Sequence, residues 1–357
     1  MKNRGFYCFI MKYKDLKEKQ EAAKKFRAKG YVREVTVLYN EAIEAAALAQ
    51  VGVKLLPGVF SFSRYPILKK KIDKIIMSLF NDQKILLVKS IGTEWDISNK
   101  NLDNVFQGKY SRKPGQSKLL ELRNDQPLQT FTDRKIRGMN LSDRVWRNTQ
   151  MYRNEIEAHL ADTIATGKGS REAAKYLNDK LLNPTGGFDK VQNKEGQVKA
   201  AAPTKLKRGG RGVYNSAYKN SLRLQVTETN MSYLTAEMER YKASPFVIGY
   251  EVILSNRHPT YDICDELKGK YPKDFKFIGW HPFCLCHSIA ILLNQAEFDQ
   301  MERDKFNDID ISKKSYSENE VKGTPPQVKK WYAENEERSK NWKAKPYFMA
   351  DNPKFFK

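Results

Sequence analysis

A chain of 357 residues is long enough to bury two or three cores. Its 64 Lys and Arg against 42 Asp and Glu leave a formal charge of +22, an excess that attracts polyanions over a Debye length of ~8–10 Å. Nucleic acid is the expected polyanion and an acidic protein the next; no apolar run reaches bilayer length, and the opening FYCFIM is too short and aromatic for a secretory leader, which argues against a membrane partner and for a chain kept in a cytoplasm.

From Asp15 to about Gln50 the sequence mixes charge with Ala-rich helix formers, and Gly52 and Pro57 then break it. Tyr65 opens a second helical segment with Pro66 in its first turn; Ile67, Leu68, Ile72, Ile75, Ile76 and Leu79 form its apolar stripe. A third segment, around Ile85 to Ile97, carries Leu86, Leu87 and Trp95. Residues 1–107 therefore read as a helical N-terminal arm.

Residues 108–182 begin with a polar patch and continue as helix, Gly hinge, helix. Ser142 is the expected N-cap with Asp143 in the first turn, Val145, Trp146, Tyr152, Ile156, Leu160 and Ile164 are the buried stripe, and Ser170 is the expected cap after Gly167 and Gly169. Residues 183–212 are rich in Gly, Pro and Lys with almost no large apolar side chain, the composition of a flexible basic linker. Over residues 213–300 a helix from Val213 to Lys242 gives way to a strand in Ser244 to Asn256, then a Cys/His loop, a second strand in HSIAILLN and a short helix in AEFDQMERDKF. Residues 301–357 are charged and polar with scattered aromatics and prolines, as in an extended wrapping tail. The predicted class is α+β, mainly helical, with a small β-hairpin around the Cys/His loop.

Of four cysteines, Cys8, Cys264, Cys284 and Cys286, three fall between His258 and His287, together with three of the four histidines. In a long chain without a leader this spacing points to thiols or metal ligands, not to a disulfide framework. Zinc takes four tetrahedral N/S ligands, and closing a loop on metal stabilises a region with little core of its own. The candidate structural set is Cys264, His281, Cys284 and Cys286, with His258, Asp262 and His287 as substitutes or outer partners. Two other readings stand beside it: buried apolar cysteines with a His-Pro turn, and an open catalytic metal site built from His258, Asp262, Asp265 and His281.

Upstream, RLQVTETNMSYLTAEMERY places Arg223, Thr227 and Asn230 on one helical face and Leu224, Glu228, Met231 and Thr235 on the next. Buried, Arg223, Thr227, Glu228 and Asn230 would form a structural polar network that fixes this helix against the metal loop; exposed, they would be a solvated face. The densest basic run includes Lys168, Arg171, Lys175, Lys199, Lys205, Lys207, Arg208 and Arg211, whose natural ligand is the phosphate backbone of DNA, bound without regard to sequence.

The ordered series LSDRVW, REAAKYLNDKL, RLQVTETN, IGYEVILSN and HPTYDICD followed by HPFCLC resembles the phage Mu F-like minor head protein family over roughly Leu141 to Leu293. Members are similar in a Thr-Glu helix before a loop ending in His-Pro-x-Cys-x-Cys, here Thr227, Glu228, His281, Pro282, Cys284 and Cys286; where many relatives carry Cys-x-x-Cys earlier in the loop, this chain has Asp262 and Cys264. The resemblance makes residues 108–182 the helical first half of a Mu F-like region and 213–300 its core. It implies a non-enzymatic minor capsid protein acting in head morphogenesis, associated with portal and capsid or scaffold proteins in the virion head interior, present in the host cytoplasm during assembly, and bound to packaged DNA. The alternative is a head-carried metal-dependent nuclease or effector enzyme.

Overall fold

The computed structural model describes residues 3–113, 116–121, 126–182, 190–192, 198–200, 216–255, 261–284, 286–342 and 345–356, with backbone course alone at 3–12, 14, 190–192, 198–200 and 313. Ten α-helices are described: α1 (Asn3–Ala49), α2 (Pro66–Tyr110), α3 (Gln126–Asp133), α4 (Leu141–Ala165), α5 (Ser170–Leu181), α6 (Ala217–Ala243), α7 (Ile263–Leu267), α8 (Gln295–Phe306), α9 (Pro326–Lys340) and α10 (Tyr347–Ala350). The described strands are β1 (Lys190–Gln192), β2 (Val198–Ala200), β3 (Val247–Ile253), β4 (Gly269–Tyr271) and β5 (His287–Leu292). The class is α+β and mainly helical, as the periodicities imply.

Two compact units share the long helices. The first takes Met1–Arg27, Ser90–Phe131 and Thr227–Lys357; the second takes Ala28–Lys89 and Thr132–Val226. Each is assembled from separated stretches, whereas the sequence reading laid its regions end to end.

In the second unit, apolar side chains recurring every three to four residues do the work of packing. Val35, Tyr39, Ile43 and Ala46 of α1 meet Leu68, Ile72, Ile76 and Leu79 of α2 and Tyr152, Ile156 and Leu160 of α4 in one buried cluster. Helix α4 starts one cap earlier than the sequence suggests. Asn140 accepts from the Asp143 backbone N–H at 2.8 Å and Asp143 accepts from Asn140 N–H at 3.0 Å, a reciprocal capping box that leaves Ser142 inside the helix. Likewise Gly169 holds the N-cap position of α5 and Ser170 is its first helical residue. Within the region read as a flexible linker, β1 and β2 pair antiparallel with Val191 opposite Lys199; a two-stranded ladder satisfies its own backbone without the large apolar residues that the segment lacks.

In the first unit, β3 is the central strand of an antiparallel sheet ordered β4-β3-β5. The expected hairpin is thus extended by β4, a three-residue strand too short to show periodicity. The two helical segments expected at Tyr65 and Ile85 are one helix, α2, because the buried series Leu79, Gln83, Leu87, Ile91, Trp95, Ser98 and Leu102 never loses its three- to four-residue spacing. The tail read as an extended wrap carries α9 and α10 and sinks Val328, Trp331, Phe348, Met349 and Phe356 into the core beneath the sheet residues Tyr250 and Tyr271. Val321 of this tail donates its backbone N–H to Ile248 at 2.9 Å and lies 2.6 Å from where a Cβ on Gly249 would stand, so the crossing requires glycine there.

Candidate metal centre

Three side chains that can hold a metal ion are gathered at the end of the sheet in the first unit: Cys264, His281 and Cys284, whose ligand atoms lie within 4.8 Å of one another. Two local structures bring them there. The first is a capping box at the start of α7: Asp262 accepts from Cys264 N–H at 2.7 Å, Asp265 accepts from Asp262 N–H at 3.0 Å, and Cys264 is thereby fixed in the first turn, facing the core. The second is the turn His281–Cys284, closed by Cys284 N–H on the His281 carbonyl at 3.0 Å. Pro282 sets its first corner, and Phe283 occupies the second at φ +60, where glycine is usual and another residue costs about 1–2 kcal/mol. Gly279 (φ +99) lets the chain pass, since a Cβ on it would come within 3.1 Å of the Cys284 Cβ.

The Cys264 sulfur is 3.2 Å from His281 Nε2 and 3.7 Å from the Cys284 sulfur. His281 Nδ1 lies 2.7 Å from the Pro282 carbonyl, and a proton on Nδ1 donated there leaves the Nε2 lone pair free to bind a metal beside the Cys264 sulfur; Asp262 Oδ2 lies 3.2 Å from the same nitrogen. Cys286, the fourth expected ligand, is buried and influences the titration of both other thiols, but its sulfur is not among the ligand atoms that lie within 4.8 Å of one another. Hydrogen bonds from Cys264 and Cys286 hold the Cys284 thiol well below the usual thiol range, while Cys264 is driven up by its hydrogen bonds with Cys284 and Cys286 and then by burial. The group is asymmetric in access: the three sulfurs are buried and His281 and Asp262 are about one-third exposed.

Of the other candidates, His258 lies outside the described residues. His287 is buried, and burial followed by the charges of Lys24 and Lys17 depresses its pKa to about 3; it stands one residue from Cys286 on β5, where successive side chains alternate in direction, and it is not part of the trio.

From α6, Asn230 donates its side-chain amide to the Cys284 carbonyl at 3.2 Å, tying the helix to the metal loop. Glu228 is fully buried on the neighbouring face, and the buried Thr227 hydroxyl has no hydrogen-bond partner among the described residues. Arg223 is half-buried and falls in the second unit.

The basic candidates divide in the same way. Arg171 and Lys175 are exposed on α5 and Lys168 is half-buried before it. Arg171 and Lys175 line an open groove of about 600 Å³ in the second unit, but Glu44 and Asp179 line it too, so its charge is mixed. Lys199 lies on β2, described by its backbone alone, and Lys205, Lys207, Arg208 and Arg211 lie outside the described residues.

Sequence reasoning passed over the cap that positions Cys264, although Asp-x-x-Asp before a short helix is a legible capping pattern. It also missed the strained Phe283, for which the Pro-x corner is the one available hint. No family model, curated protein or solved structure matches the chain, and no helix among the described residues is long and apolar enough to cross a membrane.

Proposed function

We propose that this chain is a phage minor head protein: a structural component of head morphogenesis that binds packaged DNA through phosphate contacts and carries a structural zinc clasp closed by Cys264, His281, Cys284 and Cys286. The observation that carries the reading is the sulfur and imidazole cluster at the His-Pro-x-Cys-x-Cys end of the Mu F-like segment. Two thiolates bound to one tetrahedral zinc at about 2.3 Å stand about 3.8 Å apart, close to the 3.7 Å between Cys264 and Cys284. Zinc would supply folding free energy here by crosslinking α7 to the turn before β5. The chain's own part is the geometry: the Asp262–Asp265 box sets Cys264, the Pro282 carbonyl sets the His281 ring, and Asn230 holds the backbone at Cys284. Asp265 and one oxygen of Asp262 are engaged in capping α7, and the two buried sulfurs beside His281 favour the closed structural site over an open one of carboxylates and imidazoles.

The DNA-binding part rests on the charge of +22 and on the basic run from Lys168 to Arg211. Binding of a short duplex of arbitrary sequence, measured by fluorescence anisotropy, should weaken by at least ~100-fold between about 50 and 200 mM salt. Equal affinity at both salts, or no binding at either, overturns the DNA reading, and metal-dependent cleavage of the duplex moves the assignment to the nuclease. Mass spectrometry of purified particles tests the location: a few copies per head are expected, and absence from particles contradicts it.

A further inference from the structure

In the second unit, the connection between α1 and α2 turns its hydrocarbon to water. Leu48, Val51, Leu55, Leu56 and Val59, five large apolar side chains within twelve residues, are between 40% and 67% exposed. The aromatic residues of the same stretch point the other way: Phe62 and Tyr65 are buried, and the half-buried Phe60 ring lies 4.9 Å from that of Tyr65. Single apolar residues on a surface are ordinary, but a run of them on one connection marks a site that another molecule covers.

The backbone beneath is tied into one shape. Arg64 donates to the Val59 and Pro57 carbonyls at 2.8 and 2.7 Å, and Leu56 donates its N–H to the Tyr65 hydroxyl at 2.7 Å. Glu157 of α4 accepts from Phe62 N–H at 2.5 Å and from Ser61 Oγ at 3.2 Å. Gly58, at φ +97, lies where Arg64 crosses, and a Cβ on it would stand 3.2 Å from the guanidinium. Polar groups hold the loop from within while leucine and valine are left outward on a fixed frame, so a partner that docks there has little ordering to impose.

Charge gives the sign of that partner. From Ala45 to Ile72 the chain has no acidic residue, while Lys54, Arg64, Lys69, Lys70 and Lys71 are all exposed; Lys69 pairs with Asp73 at 2.8 Å. A second copy would set basic against basic and is repelled. Duplex DNA would satisfy the lysines but offers phosphate and sugar to the leucines. A bilayer takes Trp and Tyr at its interface, whereas this loop keeps its aromatics inward. We infer that the α1–α2 connection is a docking knob for an acidic protein surface, a groove whose apolar floor receives Leu55, Leu56 and Val59 and whose rim sets carboxylates against Lys54, Lys70 and Lys71. This inference stands apart from the zinc and DNA readings.

The full chain is titrated by fluorescence anisotropy with a labelled synthetic helix carrying leucine on one face and glutamate on the other, and with the same helix carrying lysine for glutamate. The acidic helix should bind at least ~10-fold more tightly than the basic one. Joint replacement, Leu55→Ser with Leu56→Ser, should weaken the acidic helix at least ~10-fold and leave thermal unfolding where it was, because both side chains are exposed and residue 56 keeps its N–H bond to Tyr65. Equal binding of the two helices, no binding of the acidic one, or a double variant that binds it as well as the original chain overturns the knob. Co-sedimentation with vesicles of phosphatidylcholine and phosphatidylserine that the double variant abolishes gives the tip to a membrane instead. Concentration-dependent dimerisation that the variant abolishes gives it to a second copy, and either result also overturns the inference.

Discussion

The two ends of α1 are one continuous helix with opposite chemistry. Toward its C-terminus, in the second unit, the buried positions are Val35, Tyr39, Ala42, Ile43, Ala46 and Ala47; toward its N-terminus, in the first unit, they are Tyr13, Lys17, Gln20, Glu21 and Lys24. An apolar seam is held by area removed from water and tolerates many neighbours. A charged seam is held by particular partners and fails when one is taken away. The contrast extends to the units that receive these ends: the second packs an apolar helical cluster, while the first adds to its aromatic core a buried ion pair and a group of sulfurs and imidazole.

Lys17→Ala should break the charged seam most severely, by about 4 kcal/mol in urea unfolding, because Glu237 is left buried and unpaired. Joint replacement, Lys17→Met with Glu237→Gln, should fall within about 1 kcal/mol of the original, since it removes the charges together and leaves Ser288 an acceptor. A double variant as damaged as the single one would show that the seam is held by something other than pairing. Ile43→Ala is the matched test of the apolar seam, with an expected loss of about 3 kcal/mol that no second replacement of a polar partner restores.

Glu155 sharpens the comparison, being a buried carboxyl in the second unit. Burial raises its pKa from the ordinary 4.5 to about 8, against the opposing hydrogen bond from Ala217 N–H at the start of α6. The folded chain therefore holds this proton more tightly than the unfolded chain. Its contribution is fully present at pH below 4.5, declines as the unfolded form ionises, and is gone above about pH 8. Glu155→Gln should flatten that decline by a few kcal/mol between the two limits; an unchanged pH profile would place the proton elsewhere. The smallest effect belongs to Arg137, at φ +53 before Gly138 in the two-residue turn between Ile136 and Met139. Arg137→Asn should stabilise by up to about 1 kcal/mol, because Asn-Gly suits the positive φ at both corners.

What was legible in the sequence was what repeats. The apolar stripes of α2 and α4, the alternation in β3 and β5, and the crowding of Cys264, Cys284 and Cys286 with His281 all announce themselves by spacing. Single contacts between distant residues leave no period. Lys17 pairs with Glu237 across 220 positions, and nothing in either segment distinguishes that lysine from its solvated neighbours. The cap at Asn140 was missed for a different reason: two acceptable cap residues, Asn140 and Ser142, stand two apart, and the choice depends on which one Asp143 can answer. For the candidate site, the ligand types were readable while the geometry was not, because it is set by the turn at Phe283 and the cap at Asp262, neither of which is a ligand of the proposed zinc set.

The most direct test of the account is the metal content of the full chain purified without chelator, determined by elemental analysis together with a thiol titration under native conditions. The account predicts one zinc per chain, with Cys264, Cys284 and Cys286 protected until the zinc is stripped and with loss of metal in Cys284→Ser. A chain that is metal-free and folded, with thermal unfolding indifferent to added zinc and to chelator, would contradict it.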